Sequence, residues 1–263
     1  MPIDIKKEFA DIRAMYDTSA QQKHAAFLVY GGSGAGKTRL LSTCRRPIHI
    51  DSFDPRGTAN VQVKKGIAEG WILADVRYEA EDPFNPTVFA LWDREYERRQ
   101  REKYFDHIGT YCVDSATLWE AAAMNQVLKT AKGGSRAGSQ PYEQDYLPAM
   151  YMIKNAIKDF LTLPCDIVLT AHENIMQDEA TGKMYVTPLF VGKKQNNPVF
   201  FSELYYLQST RTSAGVKYTM LTQSDGTYRA KTRMGEGIFT ANEEPDIKTL
   251  LKKAGYEIED KPY

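Results

Sequence analysis

The chain has 263 residues, with 34 Lys plus Arg against 34 Asp plus Glu, and 42% of its residues are hydrophobic. That length suits one large α/β domain with small appendages, and the apolar share suffices for a full core. The balanced charge excludes a globally basic nucleic-acid binder, so any nucleic acid must be held by local loops or a groove.

Cys44, Cys112 and Cys165 lie far apart, with no C-x-x-C and no paired histidines. This argues against a disulfide framework or a zinc site and fits a reducing cytosol. The N-terminus does not read as a signal peptide, and no apolar run has the length of a membrane span. The expectation is a soluble cytoplasmic protein with no membrane partner.

Taken in chain order, Ile5, Phe9, Ile12 and Met15 have helical spacing. They predict a short amphipathic helix in an N-terminal extension (residues 1–20), packed on the domain or on a neighbouring subunit. Phe27 to Tyr30 reads as a buried strand. Directly after it, Gly31, Gly36, Lys37 and Thr38 satisfy G-x-x-x-x-G-K-[ST]. Such a loop lets backbone N–H groups point inward at phosphate oxygens, because glycine permits positive φ and close approach. Gly31, Gly32, Ser33, Gly34, Ala35, Gly36, Lys37, Thr38 and Arg39 are therefore assigned to a nucleoside triphosphate. Lys37 would reach the β- and γ-phosphates and the Thr38 hydroxyl would ligate Mg²⁺. The helix that follows adds its positive end, although Pro47 keeps it brief.

Ile48 to Asp51 reads as the second strand, followed by a turn-rich loop over residues 52–58. Trp71 to Tyr78 is a further strand candidate. Thr87 to Tyr104 reads as a helix with Val88, Leu91, Trp92 and Tyr96 on its apolar face and a solvated, charged second half. Tyr111-Cys112-Val113-Asp114 is a short strand ending in a carboxylate. Downstream of a P-loop, such an Asp faces the Mg²⁺ shell. A helix begins near Thr117. Residues 129–142 are glycine-rich and basic: either a flexible connection, or a contact with a nucleic-acid backbone through Lys129, Lys132 and Arg136 with Tyr142 stacking.

Tyr146, Met150, Ile153, Ile157 and Phe160 mark an amphipathic helix stopped by Pro164. Ile167 to Glu173 is another buried strand, and His172 at its end is a candidate γ-phosphate sensor. Residues 174–198 read as a long, weakly structured polar segment. Runs at 199–209, 216–222 and 227–232 predict antiparallel hairpins turning at Gly215 and at Ser224-Asp225-Gly226. Lys231 and Arg233 alternate onto one face. A tail helix from Pro245 to Ala254 follows, within a C-terminal helix and tail at 240–263. Nothing resembles a linker or a repeat, so residues 1–263 are expected to form a single domain.

In this order the parts resemble the RecA-like ATPase core: P-loop, Val113-Asp114-Ser115-Ala116-Thr117, basic loop, Leu169-Thr170-Ala171-His172-Glu173, second polar loop, Lys231-x-Arg233. The likeness is closest to phage-encoded AAA-domain nucleotide-binding proteins, which include single-strand annealing proteins described as trimmed recombinase cores. The resemblance covers roughly residues 20–255. It implies an α/β fold with a mainly parallel central sheet flanked by helices and C-terminal antiparallel hairpins. It implies Asp114 as the Mg²⁺-side carboxylate and His172 in the place of a γ-phosphate-sensing Gln. The two DNA-binding loops would fall at 129–142 and 174–198, the second bringing Lys183, Lys193 and Lys194. Lys231 and Arg233 would reach a neighbouring subunit's γ-phosphate, as an arginine finger does. One departure concerns the catalytic base. Recombinase cores carry a Glu just past the second strand, where this chain has Phe53. Asp54 takes the role after a one-residue slip, and Asp51 is the second choice. A shorter carboxylate on that turn implies slow turnover.

The leading functional expectation is an ATP- and Mg²⁺-dependent, single-strand-DNA-binding ATPase of phage-type recombination or annealing. It would act as a ring or filament in the cytoplasm of a host cell, with a single-strand-binding protein as a further candidate partner. The alternatives are a motor or loader ATPase of replication or packaging, and a low-turnover ATP-switched interaction module. A small-molecule kinase fits least, for want of an arginine-rich lid.

Overall fold

The computed structural model describes residues 3–18, 23–190, 197–213 and 215–262. The chain opens with α1 (Ile5–Thr18), then β1 (Ala26–Tyr30), α2 (Lys37–Leu41), β2 (Ile48–Ser52), α3 (Val61–Ala68) and β3 (Ile72–Asp75). It continues through α4 (Val88–Arg101), β4 (Thr110–Asp114), α5 (Ala116–Lys129), α6 (Glu143–Phe160), β5 (Asp166–Gln177) and β6 (Met184–Leu189). β7 (Glu203–Thr212), β8 (Gly215–Leu221), β9 (Asn242–Glu243) and α7 (Ile247–Lys253) complete it.

The strands form one sheet in the order β3-β2-β4-β5-β1-β7-β8-β9, with β6 paired to β5 off this path. The six strands from β3 to β7 in that order run parallel, and β8, β9 and β6 add antiparallel. This is the α/β architecture anticipated. β1 explains why its sequence reads as an unbroken apolar run, since both of its faces are covered. Leu28 and Tyr30 enter a core with Trp92, Trp119 and Phe160, under α4, α5 and α6. Phe27 and Val29 enter the opposite core with Leu40, Val63 and Leu250, under α2, α3 and α7. The parallel register makes the loops after β1, β2 and β4 leave on one edge, where ligand chemistry gathers in open α/β sheets.

Four expectations are corrected. The described part of 174–198 up to Phe190 is not weakly structured; residues 191–196 lie outside the described residues. β5 runs on to Gln177 and forms an antiparallel ribbon with β6, in which Ile175 faces Val186. Its turn is tied by Asp178, which accepts from the N–H groups of Ala180 and Thr181. Residues 227–232 make only two isolated bridges, Val186 with Tyr228 and Leu204 with Lys231, because the segment crosses over rather than returning alongside β8. β9 takes the place beside β8. The run at 199–209 becomes a strand only from Glu203, after a 3-10 turn at Asn197–Phe200. The strand candidate at 71–78 ends at Asp75, and a 3-10 turn follows in which the Arg77 N–H donates to the Asp75 side chain. α3 has no counterpart among the predicted helices; Asn60 caps it by accepting from Gln62 and Val63. On α1, Ile5, Phe9 and Ile12 are exposed, while Tyr16 lines a cavity beneath the sheet.

Candidate nucleotide site

The P-loop rises from β1 and turns into α2. Gly36 has φ 96°, in the left-handed region, and a Cβ there would stand 2.9 Å from Cδ1 of Tyr218. Gly31 is required by space rather than torsion, since a Cβ would lie 2.3 Å from the Leu207 carbonyl oxygen. Lys37 is buried, and its Nζ donates to the carbonyls of Gly31 at 2.8 Å and Gly32 at 3.0 Å. Burial pushes its pKa down, opposed by the carboxylates of Asp114, Asp54 and Glu173. α2 has only five residues, so the loop's own N–H groups outweigh a helix dipole as the anion cradle.

Asp114 ends β4, fully buried. The Thr38 hydroxyl donates to its Oδ2 at 2.7 Å, and the Thr170 hydroxyl donates to its Oδ1. Burial raises the Asp114 pKa, while those two hydroxyls favour its charged form and Asp54 opposes it. A hydroxyl and a carboxylate beside a phosphate cradle are hard oxygen donors, the set that suits Mg²⁺ completed by nucleotide and water oxygens. Among the described residues no group of three His, Cys, Asp or Glu could hold a metal alone. That also fits Mg²⁺, which is commonly held by one carboxylate plus phosphates.

The β2–α3 loop decides between the two acids proposed as base. The N–H groups of Phe53 and Asp54 donate to the Asp114 carbonyl at 2.6 and 3.1 Å, binding this loop to the end of β4. Phe53 is core, stacked on Tyr78. Asp54 reaches the site: its Oδ1 accepts from Ser115 at 2.5 Å, and its Oδ2 lies 3.4 Å from Nε2 of His172. Burial raises its pKa, but hydrogen bonds from His172 and Ser115, with the charge of Lys37, hold the net value below the usual carboxylate range. Asp51 is excluded as base. It is 0% exposed and accepts from His49, Trp92, Arg99 and Tyr111, so water has no access to either oxygen, whereas the Asp54 side chain is 20% exposed.

The remaining residues are not gathered here. Lys231 exchanges backbone hydrogen bonds with Leu204, which pairs with Leu28 inside β1. Arg233 lines a cavity of ≈ 530 Å³ with His24, Ala25 and Ala26, at the end of the sheet away from the P-loop. Both therefore stand away from the phosphate cradle. Their turn is fixed by buried Glu203, which accepts from the Thr232 hydroxyl and from the N–H groups of Arg233 and Met234. In the α5–α6 connection, Lys129 donates to the Pro86 carbonyl, and Arg136 pairs with Asp145 beneath the Tyr142 ring. Those two cations hold the connection together. Lys132 and the Tyr142 ring remain exposed. Lys183 is exposed at the tip of the β5–β6 ribbon, and Lys193 and Lys194 lie outside the described residues.

Three residues that sequence reasoning passed over belong to the site. Thr170 binds Asp114, Ser115 binds Asp54, and Glu173 borders the P-loop, its Oε1 3.2 Å from where a Gly32 Cβ would be. Glu173 accepts from the Tyr206 hydroxyl at 3.1 Å. The period of two on β5 offered a signal for Thr170, since it shares a face with His172.

No curated protein matches the sequence. Among solved structures, the chain is similar to the flagellar accessory protein FlaH from Methanocaldococcus jannaschii: 13% identity, TM-score 0.44, 86% of this chain and 88% of that one. It is also similar to the KaiC-like protein PH0186 from Pyrococcus horikoshii OT3: 12% identity, TM-score 0.43, 80% and 84% covered. The sequence profile of one family, described as an AAA domain, matches residues 23–234. That span begins just before β1 and carries the phosphate loop, Asp54, Asp114 and His172 together. The chain therefore belongs to the AAA_24 family of AAA domains and contains a P-loop NTPase domain of that type.

Proposed function

We propose that this domain is a Mg²⁺-dependent ATPase that binds single-stranded DNA in recombination or annealing, with ATP between subunits of an oligomer. The observation that carries it is the course of β5. One strand holds Thr170 against Asp114, places His172 beside Asp54, sets Glu173 against the P-loop, and then becomes the antiparallel ribbon with β6. Any change at the γ-phosphate is therefore felt at the root of a surface element. Lys132, Lys183 and the Tyr142 ring supply exposed cations and a stacking surface for a strand.

In this reading Lys37 exchanges its two carbonyl partners for phosphate oxygens. Thr38 and Asp114 would hold Mg²⁺, which would supply charge neutralisation at the phosphates. Asp54, already ionised, accepts a proton from the attacking water while His172 orients it. Lys231 and Arg233 serve a neighbouring subunit. The low-turnover switch remains a second reading, favoured by one observation: both Asp54 oxygens are engaged by Ser115 and His172. The discriminating experiment measures ATP hydrolysis with and without single-stranded DNA, and DNA retention with and without ATP across a salt series. Stimulated hydrolysis with salt-sensitive retention supports the proposal. Absence of both effects refutes the DNA role, and retention without turnover favours the switch.

A further inference from the structure

A bound nucleotide has a phosphate end and a nucleoside end, and the sheet order separates where each belongs. Asp114 stands on β4, reached from β1 across β5, while Tyr218 stands on β8, reached from β1 across β7. Thr38 and Arg39 are successive residues of α2, so their side chains diverge by about 100° around the helix axis. Thr38 turns its hydroxyl onto Asp114 at 2.7 Å. Arg39 places its guanidinium carbon 4.9 Å from the centroid of the Tyr218 ring. On the nucleotide reading, the metal and transferring phosphate would lie on the Thr38 side, which leaves the Arg39 side for the nucleoside.

Tyr218 is unusually close to the phosphate loop. A Cβ on Gly36 would meet its Cδ1 at 2.9 Å and its Cε1 at 3.0 Å. The ring is only partly buried, so ring surface remains available beside the loop. We infer that Tyr218 is the stacking platform for the base of the nucleoside triphosphate, with Arg39 as the cation that lies over the same ring. This rests on the nucleotide reading above and adds the recognition of the base to it. A phenol face and a guanidinium plane both bind π surfaces without reading hydrogen-bonding edges. Purines therefore bind better than pyrimidines through larger overlap, and ATP and GTP differ little.

The test uses the full chain and compares ATP, GTP, CTP and inorganic tripolyphosphate, each with Mg²⁺, by calorimetry. The proteins are the wild type, Tyr218→Phe and Tyr218→Ala. Loss of one stacked base weakens binding by about tenfold to a hundredfold. Tyr218→Ala is expected to lose that much for ATP and GTP while leaving tripolyphosphate unchanged, and Tyr218→Phe to retain the affinity. An equal loss for tripolyphosphate would show that the ring merely braces Gly36, and no loss for ATP would remove the platform outright; either overturns the inference. A wild type that binds tripolyphosphate as tightly as ATP overturns this inference alone. A wild type that binds neither overturns the nucleotide reading as well.

Discussion

Replacing Asp51 and Asp54 in turn tests which carboxylate is structural and which serves the proposed hydrolysis. Asp51 is 0% exposed and is the acceptor for His49 at 2.8 Å, Tyr111 at 2.6 Å, Trp92 at 3.0 Å and Arg99 at 2.9 Å. Burial disfavours its charge, yet His49, Arg99 and Tyr111 hold its pKa below the usual carboxylate range. Asp51→Asn keeps the shape but removes the charge facing Arg99 and turns an N–H₂ toward groups that donate. Breaking such a buried pair costs about 3–5 kcal/mol. At roughly 2–4 °C per kcal/mol for a domain near this size, Tm falls by about 6–20 °C. Nucleotide affinity of the folded fraction should hold, because neither Asp51 oxygen reaches the P-loop. Asp54→Asn should do the reverse. Its side chain is 20% exposed, so the fold loses little, while removal of a general base slows hydrolysis by about 10²–10⁴-fold. Thermal melts, calorimetric nucleotide titrations and phosphate-release rates on both variants decide the matter. If Asp51→Asn melts like the wild type and abolishes hydrolysis, the base assignment is wrong.

Three further outcomes follow from the same geometry. Gly31→Ala drives a Cβ to within 2.3 Å of a backbone oxygen that cannot move aside; it should cost about 1–3 kcal/mol in urea denaturation and weaken ATP binding. Glu173→Gln removes a negative charge that borders the phosphate cradle and should tighten ATP binding by about threefold to tenfold, with unchanged binding counting against that placement. The pKa of His24 is pushed down to about 4 by burial and then by the Arg45 charge. The folded state keeps this ring neutral while the unfolded chain takes up a proton near its ordinary value of about 6.5. Stability is therefore full above that value and lost as pH falls from about 6.5 toward 4, by about 1–2 kcal/mol after allowing for solvent screening. His24→Gln should flatten that part of the pH dependence, read as the change in urea midpoint between pH 7 and pH 5; equal slopes would refute it.

The nucleotide half of the site was legible because its signals are local. Gly31 to Thr38 specify torsions and spacing within one turn, and the apolar runs before Gly31, Asp114 and His172 announce buried parallel strands whose ends share an edge. The β5–β6 ribbon was not legible, since residues 174–190 gain their order from pairing with each other, which polar composition conceals. The same holds for Lys129 and Arg136. They read as free cations, yet they bind Pro86 and Asp145, partners that proximity in space supplies. The place of Lys231 and Arg233 is set by Glu203, almost thirty residues upstream, which no local alternation could reveal.

The sequence by itself determined that a phosphate-binding loop would stand at the edge of a parallel sheet, with Thr38, Asp114 and His172 close by. Backbone torsion and strand periodicity need no distant partner to express themselves. Only the tertiary structure decided which acid faces the phosphate loop and which is sealed in the core. Asp51 and Asp54 lie three positions apart, one inside β2 and the other in the loop that follows it. Burial with four donors keeps Asp51 from water, and the hold of the Asp114 carbonyl on the loop sets Asp54 beside Ser115 and His172. A carboxylate's role follows from what surrounds it, and those surroundings come from β4, α4 and β5, elements remote in the chain.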